Sequence, residues 1–211
     1  MGSTIGYTEL TSMFSAAIKK VRANIKELSA LDAAIGDGDH GTTMSRAMNA
    51  VEKTIKESDS ESLQSLLHNI GWGVMSIDGG CTGPLIGSLF MGMSDSLEGL
   101  SDLDCSSLVV MLEAGLSGVQ VQSKAKIGDK TMMDSLIPAV EAARQACDSG
   151  KSIPEVLAES ADVAEKGAAS TKDFIARFGR ARNLGDRTIG CQDPGATTIS
   201  LLFRGFSDSF K

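Results

Sequence analysis

The chain has 211 residues, of which 42% are hydrophobic and 22% charged, and it is long enough for one sizeable core. Its formal net charge of −7 argues against a nucleic-acid backbone or an anionic membrane as the main partner. Four scattered cysteines without a C-x-x-C pair, no signal-peptide pattern and no run of about eighteen apolar residues predict a single cytoplasmic domain over 1–211 without disulfides, zinc or a membrane span.

Helical periodicity dominates the chain, because apolar residues recur at steps of three and four. The spacing predicts helices over 8–29, 39–57, 60–74, 84–97, 106–122, 129–147 and 152–168, and from 194 onward. No window alternates with period two, and aromatic residues make up only 4%, so strands are not expected. We therefore predict an all-α fold of about eight antiparallel amphipathic helices whose loops meet at one end.

The acidic segment 32–43 reads Asp-Ala-Ala-Ile-Gly-Asp-Gly-Asp-His-Gly-Thr-Thr. Steps of five and seven residues would not bring Asp32, Asp37 and Asp39 to one point of a helix, whereas a glycine-rich loop can do so. Because clustered carboxylates repel one another, a cation between them is the natural explanation. Hard ions such as Mg²⁺ take oxygen ligands and keep positions open for phosphate oxygens. The simpler alternative is an Asp/Gly turn in which Asp39 caps the next helix.

Two familiar motifs occur in this segment without their usual context. Gly36, Gly38 and Gly41 spell G-x-G-x-x-G, but the pattern before them predicts a helix where the dinucleotide fingerprint needs a strand. An EF-hand loop that began at Asp32 would need Glu at its twelfth position, which is Thr43. Neither a dinucleotide fold nor an EF-hand is therefore predicted.

Two further loops contain glycine. The first, 78–84, reads Asp-Gly-Gly-Cys-Thr-Gly-Pro, and Pro84 suits the first position of a helix. Backbone N–H groups at such a helix start could bind an anion, and an ordinary glycine-rich turn is the alternative. The second, 123–134, contains Gly-Asp-Lys-Thr but lacks the spacing of a P-loop.

The segment 176–195 carries an unusual density of arginine for an acidic chain. Its four arginines stand at positions 177, 180, 182 and 187, among glycines. Because the guanidinium fork matches phosphate, the segment is a candidate anion site, and a solvated basic loop is the alternative. Asp193 is then predicted to cap a last helix that begins at Pro194.

Four groups of residues stand in these loops in a fixed order. They are Gly-Asp-Gly-Asp-His-Gly at 36–41, Gly-Gly-Cys-Thr-Gly-Pro-Leu at 79–85, Gly-Asp-Lys-Thr-Met at 128–132, and Gly-Arg-Ala at 179–181 with Gln-Asp-Pro-Gly-Ala at 192–196. Over essentially the whole chain, their order and spacing resemble the L subunit of dihydroxyacetone kinases. The resemblance implies a barrel of eight antiparallel helices that holds ADP or ATP at one end through two Mg²⁺ ions.

The resemblance also implies roles for individual residues. It makes Asp32, Asp37 and Asp39 the magnesium ligands. It assigns to the nucleotide site His40, Gly41, Thr42, Thr43, Cys81, Thr82, Ser123, Met132, Arg180, Asp193, Pro194 and Gly195. Thr43, Cys81 and Ser123 depart from the usual Asn, Ala and Gly, mostly around the base and ribose, whereas the metal triad is untouched. No catalytic residue is implied for this chain.

In that family a partner subunit or domain carries the sugar, tied covalently to a histidine, and the L subunit presents the phosphoryl group. We therefore expect a phosphotransferase that is active only with a sugar-binding partner and acts on dihydroxyacetone or a related short-chain ketose. A phosphocarrier subunit could re-phosphorylate bound ADP, or ATP could exchange as an ordinary substrate. The alternatives are a regulatory binding module that contacts a transcription regulator, and a purely structural helical bundle.

Overall fold

The computed structural model describes residues 4–78 and 82–211. Nine α-helices lie within these ranges: α1 (Tyr7–Ala23), α2 (Ile25–Ile35), α3 (His40–Glu57), α4 (Leu63–Met75), α5 (Thr82–Asp95), α6 (Cys105–Gln122), α7 (Met133–Asp148), α8 (Ile153–Ser170) and α9 (Pro194–Asp208). Two 3₁₀ segments, Thr171–Asp173 and Arg180–Thr188, join α8 to α9. In these described ranges the β structure is limited to one isolated bridge between Ile5 and Leu103. The all-α class is confirmed.

Packing between helices follows the chain order. From α3 to α9 each helix packs against the next, and α1 packs against both α9 and α3, so the series returns to its start. The short helix α2 packs against α3 and α9. The helices α1 and α3 to α9 thus form a closed series of eight, as a barrel requires. Their antiparallel geometry stays a prediction.

The core is formed by the apolar faces of these helices, with aromatic rings at its centre. The ring of Phe14 on α1 lies edge-on to Phe90 of α5, with 5.2 Å between centroids, and 5.3 Å from the ring of Phe206 on α9. Edge-to-face contacts of this kind add to the free energy of burying each ring. They join the first, fifth and last helices. Within the described part of the chain, none of the helices combines the length and the apolar character needed to cross a membrane.

The predicted helix over 8–29 is in fact two helices that meet at Asn24. The Asn24 side-chain amide donates to the carbonyl of Lys20 at 2.8 Å, and its backbone N–H donates to the carbonyl of Val21 at 3.0 Å. Asparagine commonly ends a helix in this way, because its side chain competes for backbone hydrogen bonds. The second helix, α2, then continues to Ile35 and carries the first part of the acidic segment.

Candidate functional site

A cavity of about 580 Å³ collects residues from the four motif-bearing parts of the chain. Its wall is formed by residues in the ranges 32–40, 82–86, 122–132, 178–181 and 193–198. The volume falls in the range of about 300–1,000 Å³ that is typical of sites for small ligands and cofactors. The loops that the sequence singled out therefore meet at one place.

Three carboxylates form an acidic cluster at this cavity. Asp32, Asp37 and Asp39 each offer an oxygen atom, and these atoms lie within 4.8 Å of one another. The expectation that all three stand on a loop is wrong for Asp32, which lies on the last turn of α2. Asp37 and Asp39 follow on the turn before α3. The side chain of Asp39 makes no capping hydrogen bond to that helix, so the capping alternative is not supported.

Two glycines make the acidic cluster possible. Gly38 has a φ of +78°, a conformation that glycine adopts without steric cost. A Cβ atom at Gly36 would collide with the carboxylate of Asp32. The Asp32 carboxylate also accepts the backbone N–H of His40 at 3.2 Å, which fixes the end of α2 against the start of α3. The turn thus holds the three carboxylates close together in spite of their mutual repulsion.

The acidic cluster accommodates positive charge. The guanidinium of Arg180 forms an ion pair with Asp37, and its Nη1 atom lies 3.9 Å from Oδ2 of Asp39. The donors offered by the three aspartates are carboxylate oxygens, two of the aspartates being exposed and the third half-buried. An all-oxygen set of this kind fits a hard divalent cation such as Mg²⁺.

His40 connects three helices beside the acidic cluster. Its Nε2 atom lies 2.8 Å from Oγ1 of Thr198, whose hydroxyl donates to the carbonyl of Pro194 at 3.0 Å. Since that hydroxyl proton is already used, Nε2 of His40 is the donor and Nδ1 is free to accept from Thr82, at 3.5 Å. Burial lowers the pKa of His40 to about 4, although the carboxylate of Asp32 opposes this shift. The imidazole is therefore neutral at physiological pH.

Three helix N-termini converge on the cavity. Helices α3, α5 and α9 begin at His40, Thr82 and Pro194, and all three of these residues contribute to its wall. Asp193 caps α9 as predicted, since its carboxylate accepts the N–H of Ala196 at 2.7 Å. Burial raises the pKa of the Asp193 carboxyl to about 7. Unpaired N–H groups and the positive ends of helix dipoles favour an anion at such a place.

Most of the residues assigned to the nucleotide site by resemblance lie at this cavity. Its wall includes His40, Thr82, Ser123, Met132, Arg180, Asp193, Pro194 and Gly195. In the described structure, Gly41, Thr42 and Thr43 lie on the first turn of α3 and are not part of the wall. Cys81 falls outside the described residues. The contacts of all these residues with a nucleotide stay predictions.

Other wall residues were not selected from the sequence. An apolar part of the wall is formed by Ile35, Leu85, Ile86 and Phe178, together with Met132. Phe178 stands within the arginine-rich segment, which was interpreted from its charges as a candidate anion site and not as part of an apolar wall. Lys130 lies inside the Gly-Asp-Lys-Thr-Met motif, and that motif is the one sequence feature that marks it. Its side chain is buried. Burial of a lysine is uncommon and was not predictable from local sequence.

Comparison with known proteins gives a consistent family match. The family profile described as the DAK2 domain matches residues 34–208. The chain is 37% identical over 177 residues to the ADP-binding subunit DhaL of a PEP-dependent dihydroxyacetone kinase from Escherichia coli, covering 84% of each chain. It is 38% identical over 185 residues to the DhaL subunit of dihydroxyacetone kinase 1 from Listeria innocua, covering 88% of this chain and 87% of that one.

Solved structures show the same likeness. The dihydroxyacetone kinase of C. freundii in complex with AMP-PNP and Mg²⁺ superposes on 94% of this chain with a TM-score of 0.73 and 26% identity. Its native form gives a TM-score of 0.73 with 25% identity. This chain spans about a third of the length of that kinase, 33% and 34% in the two structures.

Proposed function

The chain belongs to the DAK2 domain family, and on that premise we propose that it is the nucleotide-carrying subunit of a dihydroxyacetone-type kinase. In this proposal it binds ADP or ATP with two Mg²⁺ ions. It presents the phosphoryl group to dihydroxyacetone or a related short-chain ketose that a sugar-binding partner subunit holds. The relatives from Escherichia coli and Listeria innocua are named as ADP-binding subunits of kinases, which supports this division of labour.

The observation that carries the proposal is that an acidic cluster and three helix N-termini face one cavity. A chain with a net charge of −7 repels a free diphosphate, so it needs cations to bind one. Asp32, Asp37 and Asp39 would hold Mg²⁺, which neutralises charge on phosphate oxygens when it is bound. The N-termini of α3, α5 and α9 at the cavity wall would add N–H donors and the positive ends of helix dipoles.

The remaining wall residues suit the other parts of a nucleotide. Arg180 is exposed and lies beside the acidic cluster, from which its guanidinium fork can reach a phosphate group. The apolar part of the wall, from Leu85 and Ile86 to Met132 and Phe178, offers a surface for the base. Phosphoryl transfer requires mainly positioning and charge neutralisation, so this arrangement needs no nucleophile on this chain.

The names of the relatives favour one way of using the nucleotide. Those from Escherichia coli and Listeria innocua are PEP-dependent and one from Lactococcus lactis is PTS-dependent, and each is called an ADP-binding subunit. We therefore propose that ADP stays bound to this chain and is re-phosphorylated in place by a phosphocarrier subunit. Native mass spectrometry of the purified protein tests this directly. Retained ADP supports it, whereas protein that carries no ADP and exchanges ATP rapidly contradicts it.

Calorimetric titration with Mg·ADP tests the binding function itself. Asp37→Asn should weaken binding at least about tenfold, because it removes a charged oxygen donor from the acidic cluster. Asp59→Asn is the matched control, since Asp59 is exposed in the turn between α3 and α4 and is not part of the cavity wall. Equal affinities of Asp37→Asn and the parent protein would refute the metal assignment.

A further inference from the structure

Lys130 has an unusual backbone and an unusual environment. It is the one residue other than glycine with a positive φ in the described part of the chain, at 60°. Its side chain is only 2% exposed. A left-handed conformation is unfavourable for lysine, and burying an ammonium group is costly unless partners surround it. The neighbouring structure must therefore hold this residue in place.

The ammonium of Lys130 joins two distant parts of the chain. Its Nζ atom donates to the backbone carbonyl of Thr171, at the end of α8, and to that of Cys191, just before α9. These acceptors are 41 and 61 residues further along the sequence. Burial lowers the pKa of Lys130, and the nearby carboxylates of Asp193 and Asp134 oppose that shift.

The loop that carries Lys130 is itself fixed from inside. The buried carboxylate of Asp134 accepts the backbone N–H of Thr131 at 2.7 Å and that of Gly128 at 2.5 Å. These bonds close a tight turn that contains Lys130. The ammonium that binds the carbonyls of Thr171 and Cys191 therefore belongs to a loop that is fixed by its own hydrogen bonds.

Both acceptors are connected to residues that line the cavity, since Cys191 stands two residues before Asp193 and Thr171 is hydrogen-bonded to it. The backbone N–H of Asp193 donates to Oγ1 of Thr171 at 2.9 Å. A Cβ atom built on Gly195 would lie 3.5 Å from Cβ of Met132, so the start of α9 touches the residue two places after Lys130. Asp193, Gly195 and Met132 all line the cavity. Lys130, which is itself part of the wall, thus lies where two parts of the wall meet.

We propose that Lys130 is a positioning residue for nucleotide binding, which through the carbonyls of Thr171 and Cys191 holds Met132 and residues 193–195 in the geometry that the nucleotide requires. The inference rests on the proposed function and deepens it. Without the ammonium, the partly buried carbonyl of Cys191 loses this donor and the carbonyl of Thr171 keeps only the N–H of Phe174, at 3.2 Å, so these peptide groups would turn to find another donor. That turn would move Asp193 and the N–H groups at the start of α9.

Titration with Mg·ADP of a small set of variants tests this role. Lys130→Met keeps the length of the side chain and removes its charge, and Thr171→Val keeps the shape but removes the hydroxyl that accepts from Asp193. We expect each to weaken binding about tenfold. Because both act on the same part of the wall, the double variant should bind about as weakly as the weaker single one, rather than with the product of the two losses.

Two controls separate positioning from general loss of stability. Leu157→Ala opens a void in the buried face of α8 and should lower Tm while leaving affinity within about twofold, measured well below its Tm. Lys19→Met makes the same chemical change at an exposed lysine of α1 and should change neither quantity. If Lys130→Met does not fold by circular dichroism, Thr171→Val carries the test alone.

The outcomes are distinct. Parent-like affinity of Lys130→Met or of Thr171→Val overturns the inference, and so does a double variant whose loss is the product of the single losses. A loss of affinity in Leu157→Ala as large as that in Lys130→Met also overturns it, since stability would then explain both. If the parent protein itself does not bind Mg·ADP, the proposed function is wrong, and the inference that rests on it is wrong as well.

Discussion

The guanidinium of Arg180 is ion-paired with the carboxylate of Asp37, and its Nη1 atom lies 3.9 Å from Oδ2 of Asp39. The arginine-rich segment before α9 is thereby joined to the turn before α3. A cation bound by the aspartates would take up the same oxygen atoms. Arg180 would then be available to a phosphate group, because its side chain remains largely exposed to solvent.

Charge reversal at Arg180 should therefore weaken nucleotide binding without unfolding the protein. We expect Arg180→Glu to raise the Kd for Mg·ADP by at least about tenfold, since it adds a fourth carboxylate to the acidic cluster. Tm should change little, because exposed ion pairs contribute about 0–1 kcal/mol. Arg182→Glu is the matched control, as Arg182 is exposed in the same segment but does not line the cavity. An unfolded Arg180→Glu variant would point to a structural role instead.

Gly38 and Gly150 offer a matched pair for testing the acidic turn. Their φ angles are +78° and +77°, and Gly150 lies in an exposed turn after α7. Replacing either by alanine should cost about 1–2 kcal/mol of folding free energy, because alanine is strained at positive φ. Thermal denaturation should show similar losses for both variants.

Binding should separate the two glycines. Gly38→Ala should also weaken Mg·ADP binding measured by calorimetry, because Gly38 lies between Asp37 and Asp39. Gly150→Ala should bind as the parent does. Equal affinity of the two variants would show that the turn tolerates an altered backbone.

The two histidines of the chain should differ sharply in their effect on stability. His40 is buried and bonded to Thr198, whereas His68 is exposed on α4. His40→Ala removes the ring that joins α3, α5 and α9, and we expect it to cost about 2–4 kcal/mol of unfolding free energy in urea denaturation. His68→Ala should fall within about 0.5 kcal/mol of the parent. A small effect at His40 would mean that the helix ends hold together without it.

Asp193 should make the folded protein less stable as pH rises, which is opposite to the usual effect of a carboxylate. Its pKa is raised from 3.8 to about 7 in the folded protein, so between these values the folded state binds a proton that the unfolded state has lost. This stabilising contribution is present at low pH and is lost as pH rises toward 7.

The variant Asp193→Asn isolates this contribution, because asparagine can still cap α9 and does not titrate. The Tm of the parent relative to Asp193→Asn should fall by a few degrees between pH 5 and pH 8. Asp186→Asn, at an exposed position of the second 3₁₀ segment, should show no such trend. A constant difference between the parent and Asp193→Asn would mean that the carboxyl is ionised throughout.

Local signals in the sequence predicted some features well. Asp193 and Pro194 mark the start of α9, because an N-cap and a first-turn proline act within a few residues. The proximity of Asp37 and Asp39 follows from their spacing around Gly38. The all-α class followed from helical periodicity, which adds up over long segments.

Features that depend on distant contacts were not predictable. The helical pattern was expected to end at residue 29, so Asp32 was placed on a loop, although α2 continues to Ile35 and packs against α3 and α9. The burial of Lys130 depends on carbonyl groups 41 and 61 residues away, which no sequence window contains. The bond between His40 and Thr198 joins residues 158 positions apart.

The three helix N-termini at the cavity have a consequence for how a ligand arrives. The net charge of −7 repels an anion that comes within a Debye length of the surface, about 8 Å in physiological salt, whereas the helix ends attract it only within the cavity. A free nucleotide must therefore reach the mouth of the cavity without electrostatic help. A nucleotide already complexed with a divalent ion has less charge to overcome on that path, so the complex is the form that this surface admits most readily.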